Sequence, residues 1–289
     1  MNATTGLTRE NTSRFVQAGD TRIHYHEAGS GPVLLCIHGG APGAFGWGNF
    51  GRNLAAWAQH FRTLIVDLPG YGQSDKPHIE GPRTGFYARG FVAMLDALGI
   101  SRAHVLGMAT GGAVALKMAI DHAQRVERLV VINSPGGLSI FQPTPPKPAT
   151  HGYYSGEGPS LARMRENLER LVYDKTLLTE EVVRERYEAS IDPEFMSQAP
   201  EGRGGTPGQA LEPLWQDLHR IRAETLIVWG RNNQTVHYDS ALFMLAQIPK
   251  ARVHIHGNCG LWVPYEKMAE FNSNLIGFLS ADLAARPAS

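Results

Sequence analysis

A chain of 289 residues with 43% hydrophobic content is long enough to bury a sizeable core, as one large α/β domain or two small ones. Lys+Arg and Asp+Glu both total 27, so the net charge is near zero and no strong field favours nucleic acid, another polyanion or an anionic membrane. Two cysteines, Cys36 and Cys259, are too few for a disulfide framework. Cys36 lies in the apolar run Val33–Ile37, and both read as free thiols in a reducing compartment. The N-terminus MNATTGLTRENTSRF has no apolar h-region, and no window approaches about 18 continuous apolar residues, which makes a cytoplasmic protein the expectation.

Segments 14–17 and 21–26, split by Ala18-Gly19-Asp20, read as a β-hairpin. The strand 33–37 follows, then a Gly-rich loop HGGAPGAFGWG over 38–48 and a helix over about 53–60. Next come a strand at 63–67, the turn DLPGYGQSD, a helix over about 85–98 and a strand at 103–107. GMATGG, 107–112, stands where that strand turns sharply into a helix over about 111–122. In many hydrolases such a turn reads G-x-S-x-G and lifts a nucleophilic serine at its tip, but here the tip is Ala109. Strand 129–132 completes the first half.

Strands that are continuous apolar runs alternating with helices imply a mostly parallel sheet covered on both faces. The rhythm breaks at Pro135. From there to about 219 the chain is first proline-rich (FQPTPPKPAT), then helical and charged (SLARMRENLERL, EEVVRERYEA), with a Gly-rich joint EGRGGTPGQ. It resumes with a strand at 225–229, a helix at about 240–247, a strand at 251–256 and a helix at about 267–279. The organisation expected is an α/β core from 1–134 and 220–289, with 135–219 inserted as a helical lid over the C-terminal strand ends.

The HGG loop, DLPGYGQSD, the elbow, the WGR strand end and the CG-x-W loop, in that order, resemble the α/β-hydrolase fold. Within it the chain is most similar to the meta-cleavage-product hydrolases, which cut a C–C bond in 2-hydroxy-6-oxo-dienoates. The stretches HGGAPGAFGWGN, SPGGLSIF, VYDKTLLTEE and NCGLWVPYEKMAEFN carry the likeness, which covers about 13–280. It implies a catalytic Ser, Asp and His in that chain order. The serine position falls on Ala109, the aspartate position on Asn233 in GRNNQTV, and the histidine position on Leu261 in NCGLW. Alanine has no lone pair, leucine cannot shuttle a proton, and asparagine cannot stabilise an imidazolium by charge. One such change is what a knock-out made to trap substrate would show; three dissimilar changes in altered contexts read as inherited.

The same resemblance implies an oxyanion hole from the loop at Gly39-Gly40 and the backbone N–H of Thr110, donors worth about 3–4 kcal/mol each to a developing oxyanion. It places Arg186 on a substrate carboxylate, Asn49 as a polar pocket residue and Trp262 as an aromatic wall, while Met108 stands where a polar residue is usual. Blander readings stand beside these. Gly39 and Gly40 suit any tight turn, Arg186 is also a solvated residue of a charged helix, Trp262 is core or wall, and Asn49 is pocket or turn. Thr110, one residue past the tip, is a poor displaced nucleophile. His237 and His256 lie nearest in sequence to the vacated positions, but on a loop and a strand. Asn133 and Ser134 end a strand where open α/β sheets place ligands, and Asp67 and Asp75 read as turn formers.

No H-E-x-x-H, C-x-x-C or G-x-G-x-x-G spacing appears, so neither metal nor other cofactor is expected. The three missing side chains favour a non-hydrolytic enzyme on this scaffold, one that cyclises, isomerises, eliminates or decarboxylates a carbonyl or enolate intermediate by positioning and oxyanion stabilisation. Two further readings stay open: a pseudoenzyme that binds a small aromatic acid, and a C–C or ester hydrolase with a relocated or mutated nucleophile. The partner is a small molecule in each case, and the resemblance adds a homodimer or larger assembly.

Overall fold

The computed structural model describes residues 6–79, 81–141, 150–198 and 212–281. Its eight strands are β1 (Ser13–Ala18), β2 (Thr21–Ala28), β3 (Val33–Ile37), β4 (Arg62–Val66), β5 (Ala103–Met108), β6 (Val126–Ile132), β7 (Glu224–Gly230) and β8 (Ala251–His256). They form one sheet in the order β1-β2-β4-β3-β5-β6-β7-β8. β1 pairs antiparallel with β2, and β2 antiparallel with β4; every pairing from β4 through β8 is parallel. The expected hairpin is therefore the antiparallel end of a mostly parallel sheet.

The helices are α1 (Arg9–Thr12), α2 (Gly46–Trp57), α3 (Arg83–Ala97), α4 (Thr110–Asp121), α5 (Thr150–Tyr153), α6 (Leu161–Glu169), α7 (Glu180–Ser190), α8 (Pro193–Gln198), α9 (Asp239–Gln247), α10 (Val263–Glu266) and α11 (Met268–Ser280). Alternation along the strands splits the core into two layers. Leu35, Ile37, Leu64, Val66 and Val105 pack with α3, α4 and α9. Leu34, Cys36, Ile65 and Leu106 pack with α2 and α11 on the other face. Because both faces are covered, the central strands are predominantly apolar, and all six residues of β5, His104 among them, are buried. Helices α5 to α8 lie between β6 and β7 in the chain, and Met164, Leu168, Val182 and Val183 of α6 and α7 join the α2–α11 layer. The segment 142–149 of the proline-rich stretch, and the whole of the Gly-rich joint, lie outside the described residues.

The largest departure from the expected boundaries is at α2; β6 also begins earlier, at Val126. Helix α2 begins at Gly46, not near 53, so Asn49 is helical and the Gly-rich loop ends at Phe45. Glycine is a poor helix former, which hides this start in the sequence. Tertiary contact overrides propensity here: a Cβ on Gly46 would stand 2.6 Å from the Val66 carbonyl oxygen, and the Asp67 carboxylate accepts the Gly46 N–H at 2.6 Å. That carboxylate satisfies one of the N–H groups a helix start leaves unpaired.

Candidate active site

The turn from β5 into α4 holds Ala109 at φ 50°, ψ −119°, a conformation costing a non-glycine residue about 1–3 kcal/mol. The flanking glycines explain how so sharp a turn fits. A Cβ on Gly107 would collide with the Gly111 carbonyl, and one on Gly112 would meet Ser134 at 2.6 Å. Ala109 N–H donates to Ile132 O at 2.9 Å, tying the elbow to β6. Thr110 opens α4, so its N–H has no acceptor within the helix.

The loop after β3 lies against this elbow. A Cβ on Gly39 would stand 3.3 Å from the Ala109 Cβ, and one on Gly40 would stand 2.9 Å from Thr110 Oγ1. His38 is fully buried: Leu68 N–H donates to its Nε2 at 3.0 Å, leaving Nδ1 to donate to Gly39 O at 2.6 Å. Burial pushes its pKa down to about 4, so the ring is neutral near pH 7. The peptide is trans, so with Gly39 C=O bound to the His38 ring, the Gly40 N–H points away from that ring. Tyr71 O–H donates to Gly40 O at 3.1 Å.

Asp67 organises this side of the site. Fully buried, its carboxylate accepts from Gly46 N–H (2.6 Å), Gln73 N–H (2.9 Å) and His24 Nδ1 (2.8 Å). Burial acts to raise its pKa, but the His24 hydrogen bond, the His38 and His24 rings and the Gln73 N–H outweigh it and hold the group below the ordinary carboxylate value. Asp67 does form the turn read from the sequence, through Gln73, and it also fixes the start of α2. It is a buried anchor that the sequence does not reveal, because nothing local marks a turn aspartate as buried.

A second cluster joins α7 to α2. Arg186 is 2% exposed; its Nη2 approaches Asn49 Oδ1 at 3.5 Å, and its guanidinium lies 5.0 Å from the Trp262 ring centre. Among the described residues, its Nε and Nη1 are buried without a hydrogen-bond partner. Burial lowers its pKa to about 10, which leaves it cationic near neutrality. Trp262 Nε1 approaches Asn49 O at 3.4 Å, and the indole stacks on Tyr265 at 4.5 Å. Gly43, at φ 64°, lets α7 come this close: a Cβ there would collide with the Arg186 carbonyl. Arg186 is thus buried and not solvated, and Asn49, Arg186 and Trp262 form one contact set.

The third cluster lies at the ends of β6 and β7. Asn133 (φ 47°, fully buried) accepts from Gly230 N–H at 3.1 Å and Asn233 Nδ2 at 3.2 Å, and donates to Gly260 O at 3.3 Å and Leu261 O at 2.8 Å. Asn233 also donates to Val236 O at 3.0 Å, and its Oδ1 accepts from Thr235 N–H and Oγ1 at 3.0 and 2.8 Å. Both amides are therefore spent on their neighbours. Leu261 N–H donates to Leu171 O at 2.8 Å, and its side chain joins the apolar layer with Met108, Trp262 and Ala109. Ser134 donates to Pro135 O at 2.7 Å. His237 pairs with Asp239 at 2.8 Å, and Asp239 also accepts from Ser139 Oγ, Ile140 N–H and Phe141 N–H; His256 turns instead to Glu270. Neither histidine bonds to Ala109, Asn233 or Leu261 within the described residues.

A strand-elbow-helix turn, an adjacent Gly-Gly loop and an eight-stranded, mostly parallel sheet define the class. The chain belongs to the α/β hydrolase fold family, whose model matches residues 32–267. The 2-hydroxy-6-oxo-6-phenylhexa-2,4-dienoate hydrolase of Comamonas testosteroni is 36% identical over 95% of this chain and 99% of that protein. The 2-hydroxy-6-oxononadienedioate/2-hydroxy-6-oxononatrienedioate hydrolase of Paraburkholderia phymatum is 34% identical over 96% and 99%. Among solved structures, a meta-cleavage product hydrolase from Pseudomonas fluorescens, a serine-to-alanine mutant complexed with acetates, superposes with a TM-score of 0.81 at 30% identity, covering 94% of this chain and 98% of that one.

These relatives overturn the expectation of a non-hydrolytic cyclase, isomerase or lyase. That expectation weighed three side chains, whereas the likeness to proteins named as hydrolases spans nearly the whole chain. Of the readings open from the sequence, it supports the hydrolase. No helix among the described residues is long and apolar enough to cross a membrane.

Proposed function

We propose that this chain is a C–C hydrolase of 2-hydroxy-6-oxo-dienoate carboxylates whose nucleophile, acid and base positions are occupied by Ala109, Asn233 and Leu261. The observation that carries the carboxylate end is Arg186, a buried guanidinium beside Asn49 and Trp262 with two nitrogens that have no hydrogen-bond partner among the described residues. A buried charge of this kind is stable when an anion completes it, and a carboxylate matches the guanidinium fork. The dienoate class comes from the names of the relatives. The distal carbonyl oxygen faces Gly40 and Thr110 N–H, the apolar chain lies along Met108, Ala109 and Leu261, and 135–219 acts as the lid over the core formed by 1–134 and 220–289.

With no side-chain oxygen at position 109, the attacking oxygen is that of water. Thr110 Oγ1 lies beside the hole, yet the nearby imidazole, His38, has both nitrogens engaged and cannot take its proton. Water adds across the bond next to the distal carbonyl: its oxygen bonds to the carbonyl carbon, the C–C bond breaks, and the second water hydrogen ends on the departing carbon. The products are a carboxylic acid and a shorter 2-hydroxydienoate. Oxyanion donors and binding alone give about 10³–10⁴-fold over the reaction in water.

The test is turnover of the phenyl dienoate by this chain and by the triple variant Ala109→Ser/Asn233→Asp/Leu261→His. The proposal expects slow cleavage by the former and about 100-fold or more by the latter, with Ala109→Ser alone gaining little. Absence of cleavage by the folded chain would refute it, whatever the triple variant does.

A further inference from the structure

On the outer edge of the sheet, His254 and His256 stand two residues apart on β8, so both side chains project to the same face. Their rings stack 4.1 Å apart with 14° between planes. Glu270 of α11 faces the pair: Oε1 lies 3.3 Å from His254 Nε2, and Oε2 lies 3.4 Å from His256 Nδ1. One nitrogen from each ring and one carboxylate oxygen all lie within 4.8 Å of one another. Ligand atoms about 2.0–2.1 Å from a tetrahedral Zn2+ are separated by about 3.4 Å, close to both imidazole–carboxylate distances. A second layer is present as well, because Asn274 Nδ2 lies 3.2 Å from His254 Nδ1. Turning that amide end for end offers Oδ1 to a protonated Nδ1, which frees Nε2 as a lone-pair donor.

We propose that His254, His256 and Glu270 form a binding site for a divalent transition-metal ion, Zn2+ being the probe of choice, that cross-links the edge strand β8 to the C-terminal helix α11. Two imidazoles and one carboxylate are a borderline donor set that suits Zn2+, Ni2+ and Cu2+ over Mg2+ or Ca2+. Glu270 and His254 are partly exposed, which gives the ion an entry path, while the nearly buried His256 supplies a rigid ligand. The ligands follow no familiar short spacing that would mark them in the sequence: an H-x-H pair on β8 meets a glutamate on α11. The site shares no residue with the proposed active site, so it stands or falls independently of the hydrolase reading.

The test uses the full chain freed of metal by EDTA dialysis, titrated calorimetrically with Zn2+ and, in parallel, followed by the visible absorption of bound Co2+ and by thermal melting. The expected result is one saturable Zn2+ per chain and a higher Tm with Zn2+. His254→Gln and Glu270→Gln, both at partly exposed positions, should each weaken binding by about tenfold or more and abolish the Tm gain. Absence of saturable binding, or affinity unchanged in both folded variants, as diffuse capture by other histidines would give, overturns the proposal.

Discussion

On the side of the candidate site formed by the Gly39-Gly40 loop and the start of α4, side chains bind the loop carbonyls and the first N–H of α4 has no acceptor within its own helix; on the side formed by Asn133, Asn233 and Leu261, the amides satisfy one another. His38 and Tyr71 hold the first side, and Asp67 anchors the helix that follows it. On the second, Asn133 closes four hydrogen bonds and Leu261 packs into an apolar layer. The difference separates two jobs that a hydrolase site usually performs together. Stabilising a developing oxyanion needs oriented donors, which the first side can supply. Managing a nucleophile's proton needs a titratable pair, whereas Asn233 and Leu261 on the second side offer an amide and an alkyl group.

The largest expected effect strikes the first side. Asp67→Ala should destabilise the protein by about 3–5 kcal/mol, since it strips the buried His24 Nδ1 of its partner and leaves two N–H groups unpaired; urea unfolding measures it, and a loss below about 1 kcal/mol would deny Asp67 its anchoring role. Arg186→Met separates function from stability. Dienoate KM should rise by about tenfold to a hundredfold as a charged hydrogen bond is lost, while Tm stays level or rises because an unpaired buried charge is gone. A fall in Tm with unchanged KM would make Arg186 structural instead.

Acid should weaken the fold through histidine. Burial lowers the pKa values of His26, His38 and His104 from 6.5 to about 4 in the folded state. Between those values the unfolded chain binds protons that the folded one refuses, so stability is full above pH 6.5 and declines as pH falls toward 4. Melting across that window checks it, and a flat Tm would count against neutral buried rings. The smallest effect is at the elbow. Ala109→Gly should be stabilising by about 1 kcal/mol, relief of positive-φ strain exceeding glycine's entropic cost.

Much of this was legible in the sequence, unevenly. Apolar runs located the parallel strands because both faces of the sheet are covered, and GMATGG marked the elbow because glycines at 107, 111 and 112 stand where a side chain would clash. The start of α2 was hidden: Gly46 and Gly48 argue locally against helix, and only β4 and Asp67 argue for it. The hub role of Asn133 and the pairing of β8 histidines with Glu270 were equally hidden, since both join residues far apart in the chain. The expectation of a non-hydrolytic chemistry rests on Ala109, Asn233 and Leu261 alone, and three residues weigh less than a likeness to proteins named as hydrolases over nearly the whole chain.

The proposed hydrolysis is tested most directly by incubating the chain with 2-hydroxy-6-oxo-6-phenylhexa-2,4-dienoate in 18O-labelled water and weighing the products. The expected result is slow cleavage into an aromatic carboxylic acid carrying one solvent oxygen and a shorter 2-hydroxydienoate. Saturable binding of the dienoate with no cleavage, or a product of unchanged mass, would contradict it.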